Sequence, residues 1–139
     1  MTAPEIVKGF PPNHAEIIKV FPAARRPGII FAYGDKIYVP SGNELSHHLK
    51  VHEAVHCIRQ KELGVEFWWD KYLTDWRFRY HEELMAHRAE YLSMIRGNPN
   101  RNMKRTALKI VAQRLASPLY GNNGGWKRAA DDILEGVDA

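Results

Sequence analysis

Residues 52–56 read His-Glu-Ala-Val-His. Histidines four apart lie on one face of an α-helix, so both imidazoles can reach a single metal ion. Glu53 projects roughly 100° around the axis from His52, too far round to be an equal ligand but placed to touch a metal-bound water. Zinc lowers the pKa of such a water towards neutrality, and a carboxylate beside it can take a proton and return it to a leaving group. The pentapeptide therefore points to zinc-assisted hydrolysis, with Glu53 as general base and then general acid. The plain alternative is a surface helix with two incidental histidines.

A catalytic zinc takes three protein ligands and keeps one position open. After His56 the next histidine is His81, and residues 78–87 read Phe-Arg-Tyr-His-Glu-Glu-Leu-Met-Ala-His. Glu82, Glu83 and His87 are the candidates there, on one expected helix. Glu83 and His87 share a face that Glu90 extends; Glu82 falls on a different stripe with Ala86, Ala89 and Ser93. Helical geometry alone does not choose between the two glutamates, because each flanks the apolar arc. His48 stands four before His52, but histidines on three successive turns span about 12 Å, too far for one ion. A supporting or solvent-facing role suits it better. Cys57 points about 100° away from His56 on a helix and reads as a buried structural thiol. As the single cysteine it excludes an intramolecular disulfide and any Cys-rich zinc module.

The elements that must hold these residues follow from periodicity. Residues 1–14, with Pro4, Pro11 and Pro12, read as an irregular arm, and 16–21 as a short strand stopped by Pro22. Two β-rich runs, 29–33 and 36–39, flank Gly34-Asp35 and read as a hairpin. Helical spacing begins at Glu44 and stops at Gly64, with Val51, Val55 and Ile58 as the stripe that fixes the inward face. A second, aromatic helix covers Glu66 to Leu73, and a third runs over about 77–96 with Leu84, Tyr91 and Ile95 on one stripe. The fourth covers about 101–116, with Leu108, Val111 and Leu115 inward, and a short last helix covers 126–134 after a loop at 121–125. Strands first and helices after give an α+β fold in a single domain of 139 residues.

The histidine–glutamate–two residues–histidine helix followed by a glutamate on a later helix resembles the gluzincin class of zinc peptidases. In several such families the ligand glutamate has an alanine three residues on, as Glu83 has in Ala86. The resemblance therefore implies His52, His56 and Glu83 as the zinc ligands and Glu53 as the catalytic carboxylate. Where those families often place an aspartate next to orient a histidine, this chain has His87, which departs from the pattern and competes as a ligand. Ile37-Tyr38-Val39-Pro40, Gln60, Phe78-Arg79 and residues 117–121 extend the likeness to small gluzincin-type metallopeptidases encoded by bacteriophages. That implies a minimal gluzincin-like fold, a zinc cofactor and a peptide or protein substrate. The strand at 36–39 is expected either as an exposed sheet edge beside the metal, such as pairs with extended substrate in metallopeptidases that resemble this layout, or as part of a plain structural hairpin.

Composition narrows the setting. No run of apolar residues is long enough for a membrane span, and the N-terminus lacks a secretory pattern, so a cytoplasmic protein is expected. The formal charge of +4 is a mild excess. Arg101, Arg105 and Lys109 flank the fourth helix and read as a solvated face rather than a nucleic-acid surface. The aromatic cluster from Phe67 to Tyr80 reads chiefly as packing. A rival reading from another class is a regulatory or interaction protein of a phage, binding a host protein or nucleic acid, with zinc as a structural clamp.

Overall fold

The computed structural model describes residues 3–97, 99–120 and 125–137. A small three-stranded sheet near the N-terminus is followed by a helical bundle. The strands are β1 (Glu5–Val7), β2 (Phe31–Tyr33) and β3 (Lys36–Tyr38), and the helices are α1 (His14–Val20), α2 (His47–Leu63), α3 (Val65–Thr74), α4 (Trp76–Met94), α5 (Arg101–Leu115) and α6 (Gly125–Glu135). The chain is α+β, as its element order implies.

The hairpin forms as its sequence suggests. Gly34 adopts φ +65° at the turn, a conformation glycine takes without strain, and β2 pairs antiparallel with β3 in the register Tyr33 to Lys36. The expected strand-edge role moves, however. β1 pairs parallel with β3, Ile6 opposite Ile37, so the sheet order is β1-β3-β2 and β3 is central. The edge on the helix side is β2, and its Ala32 carbonyl already accepts from Gln60 Nε2 at 2.9 Å and Trp69 Nε1 at 3.2 Å.

Two other expectations are corrected. The arm at 1–14 contains β1, a three-residue strand between prolines and too short to carry a period. The stretch at 16–21 is the helix α1, although two isoleucines and a valine favour a strand. Tertiary packing decides it: the Asn13 carbonyl accepts from Glu16 and Ile17, and Ile17 is buried against Phe31, Trp68 and Trp69. Most of the expected loop at 121–125, and Asn98 in the break before α5, lie outside the described residues.

The bundle starts and stops where its caps are. Asp75 accepts from the amides of Arg77 and Phe78 at the start of α4, and Asn100 from Met103 at the start of α5. One apolar core lies among α4, α5 and α6, with Val111, Leu115, Ala129 and Ile133 fully buried. A second joins α1, β2 and α3 through Ile17, Phe31, Trp68 and Tyr72. Among the described residues no helix is long and apolar enough to cross a membrane.

Candidate metal centre

The helix α2 buries an unexpected side. Its inward residues are His52, Glu53, His56, Cys57 and Gln60, while Ile58 of the apolar stripe is exposed. The polar positions 52, 56 and 60 lie on successive turns, and this row, not the valines, faces α4 and the hairpin. Gln60 fixes the contact with the hairpin: its Oε1 accepts from Gly34 N at 2.6 Å while its amide donates to Ala32. Cys57 is buried beneath the same strands, and Sγ donates a weak bond to the Lys36 carbonyl.

From α4, Glu83 meets both histidines. Its Oε1 is 3.2 Å from His52 Nε2 and its Oε2 is 3.1 Å from His56 Nε2. Glu53 Oε2 stands 3.7 Å from His52 Nε2. All four residues are buried. Tyr72 of α3 donates to Glu83 Oε2 at 2.6 Å, the oxygen that His56 also approaches, and helps to fix that carboxylate. The structure thus brings together His52, Glu53, His56 and Glu83.

Glu82 is elsewhere. Its carboxylate is fully buried in a fork with Arg59 and accepts from Trp68 Nε1 at 2.8 Å, which spends it on joining α2, α3 and α4. His87 does belong to the cluster. One ligand atom from each of His52, Glu83 and His87 lies within 4.8 Å of the others, and this buried group can hold a metal ion. The His87 Nδ1 proton goes to the Glu83 carbonyl at 2.6 Å, leaving Nε2 with the free lone pair. His56 is not a member of that group; it reaches the other oxygen of Glu83.

Glu90, two turns beyond Glu83, orients the first imidazole. Its Oε1 accepts from His52 Nδ1 at 2.9 Å, which holds the ring with Nε2 turned towards Glu83 and Glu53. Arg114 of α5 pairs with the other oxygen of Glu90. The residue that holds the His52 ring is thus Glu90, three positions after His87. Sequence reasoning placed Glu90 on the right face without giving it a role, and it missed Arg114 and Tyr72. His48 stays at the rim, 3.3 Å from Ser46 Oγ.

Neither ring nitrogen of His56 has an aligned hydrogen-bond partner, and neither does Glu83 Oε1. Glu83 Oε1 and His56 Nε2 each have a neighbour within about 3.2 Å, but without the directionality of a hydrogen bond. Buried and unsatisfied, they are costly unless a further atom joins them. Two imidazoles and a carboxylate are a donor set suited to zinc.

Burial alone would raise the Glu83 carboxyl, but the charge and contacts of His56 and His52 override it and hold the group well below its ordinary value. Glu53 goes the other way: desolvation raises it, against the lowering pull of His52 and His56. The two neighbouring carboxylates are thus shifted in opposite directions, as pairs with separate acid and base roles are. Burial, then the charge of His52, pushes His87 down to about 3 and keeps it neutral. The charge of Glu83, then burial, raises the Tyr120 hydroxyl well above its ordinary range.

No family model, curated protein or solved structure matches the chain. What the centre can do is therefore read from its own geometry. A cavity of about 140 Å³ opens onto His52, Glu53, His56 and Glu83, with apolar walls from α1, β2 and α3.

Proposed function

We propose that the chain is a zinc-dependent hydrolase acting on peptide bonds, with His52, His56 and Glu83 holding the ion and Glu53 as general base and then acid. One observation carries the reading: two imidazoles of one helical turn approach opposite oxygens of a single buried carboxylate from another helix, beside an open cavity. Zinc supplies, when bound, a Lewis acid that polarises a carbonyl and acidifies water. The chain's own groups do the rest. Glu90 holds the His52 ring with Nε2 turned towards Glu83, and Tyr72 keeps Glu83 from turning away. Glu53 is free of any tight partner, so its carboxylate can take a proton and give it up. Peptide as substrate rests on the resemblance to gluzincin peptidases.

The test is Glu53→Gln on the zinc-loaded chain. Hydrolysis of a peptide mixture falls by about 10²–10⁴-fold while zinc content and melting temperature are retained. Hydrolysis at the wild-type rate overturns the role of Glu53. His56→Ala and His87→Ala, compared by metal analysis, decide the third ligand: the former loses stoichiometric zinc and the latter keeps it. A clamp without catalysis is the second reading, favoured by the fact that these residues form the junction of α2 and α4. On that reading His52→Ala weakens a binding function that Glu53→Gln leaves intact.

A further inference from the structure

Charge is unevenly divided along the chain. Residues 91–130 hold eight of its twenty Lys and Arg and none of its sixteen Asp and Glu; the rest, with twelve cations against sixteen acids, is net acidic. A solvated face ordinarily mixes both signs. Elsewhere this chain does so: Lys36 pairs with Asp35, Arg59 with Glu62 and Lys71 with Asp75. On α5 the pattern stops. Arg101, Lys104, Arg105 and Lys109 are exposed, and among the described residues none of them is paired with a carboxylate. Arg114, at the other end of the helix, is paired with Glu90.

The exposed cations form a row. Residues four apart on a helix share a flank and rise about 6 Å, so Arg101, Arg105 and Lys109 make a line of about 12 Å with Lys104 beside it. Lys109 ends the row 5.3 Å over the half-buried Trp126 ring of α6. Met103 and Ile110, the exposed large apolar residues of α5, stand about 100° or more round the axis from the row. They line a groove with Met94 and Pro99 on that other flank.

This layout selects among anionic partners. An acidic protein segment needs apolar contacts at the core of its interface, and the row offers none. A sugar-phosphate backbone needs only cations and places an anion on every nucleotide. A single strand is held largely by stacking its bases on free aromatic faces, but the ring beside the row is half-buried under Lys109. The phosphates of a duplex face outward and require no such ring.

We infer that this flank of α5 is a docking surface for the phosphate backbone of double-stranded DNA, held by charge and not by base sequence. The surface uses none of the residues of the metal centre and stands apart from the hydrolase reading.

The experiment titrates the full chain against a fluorescent mixed-sequence DNA duplex and follows anisotropy across a range of salt. Three or four phosphate contacts give a slope of about −2.7 to −3.6 in log K against log salt, hence binding about 40- to 150-fold weaker at ~200 mM than at ~50 mM. Arg101→Glu combined with Arg105→Glu weakens binding at ~50 mM salt by at least about tenfold and flattens the slope by about two, without lowering the melting temperature. Lys19→Glu combined with Lys61→Glu removes the same charge from exposed positions outside the acid-free segment. That pair leaves affinity within about threefold, because distant charges are screened. A duplex that is not bound, or is bound without salt dependence, overturns the surface, and so does an equal loss in the two double variants. Tighter binding of a single strand of the same length, or displacement of the duplex by polyglutamate at matched charge, overturns the choice of partner.

Discussion

Glu82 and Glu90 are both fully buried on α4, and both accept bonds from other helices, yet they differ in what depends on them. Glu90→Gln keeps the size of the side chain and removes the charge that His52 Nδ1 and Arg114 share. A carboxylate that orients a ligand imidazole typically contributes 10–100-fold in metal affinity, or about 1.4–2.7 kcal/mol. The Arg114 side chain is 41% exposed and can turn to water, so the loss in folding stability is the smaller part. Glu82→Gln removes the fork with Arg59 and places an amide donor against either the guanidinium or the Trp68 indole. Breaking a buried pair by deleting one partner costs up to 3–5 kcal/mol. The Arg59 side chain, 26% exposed, is partly relieved by solvent, so ~2–3 kcal/mol is expected. Zinc affinity is measured by competition with a chromophoric chelator, and stability by urea unfolding of the metal-free protein. Glu90→Gln lowers affinity while stability moves little; Glu82→Gln lowers stability while affinity stays within about threefold. Unchanged zinc affinity in Glu90→Gln, or an affinity loss in Glu82→Gln as large as that of Glu83→Ala, refutes the division of roles between these carboxylates.

Chelation of zinc lowers the melting temperature, because an ion at 100 times its Kd adds about 2.7 kcal/mol to the folded state; equal calorimetric transitions with and without chelator would sink the metal centre. Leu115→Ala, in the core of α4, α5 and α6, costs ~2–5 kcal/mol in urea unfolding and leaves stoichiometric zinc in place. The Cys57 thiol, pushed up to about 12 by burial first and then by the charges of Glu53 and Asp35, holds almost no thiolate at pH 8. A thiol reagent at that pH therefore labels it at the unfolding rate, and rapid labelling of the folded chain contradicts its burial.

Long helices with capping signals were legible in the sequence, as was the hairpin, because a Gly-Asp pair between β-rich runs admits few alternatives. The failures have physical causes. β1 is three residues long and exists through pairing with β3, which no local pattern records. At α1 the β-branched residues argued for a strand, and the packing of Ile17 against two tryptophans overrode them. On α2 an apolar stripe was visible, but the interior it was meant to face is occupied by charge and imidazole, so the inward side was misjudged. Helical spacing placed Glu83, His87 and Glu90 on one face of α4. It could not separate Glu83 from Glu82, since that choice depends on where Arg59 and the Trp68 indole lie.

The side of α2 that turns inward carries two imidazoles, a carboxylic acid and an amide beside the Cys57 thiol, while Ile58 and Leu63 are exposed. Apart from Cys57, this helix is seated chiefly by polar contacts with α4 and the hairpin. The candidate metal-binding groups and the α2–α4 junction thus occupy the same atoms. Replacing one of positions 52, 56, 60, 83, 87 and 90 by hydrocarbon would leave its buried polar neighbours without a counterpart, so such exchanges are expected to be tolerated only together.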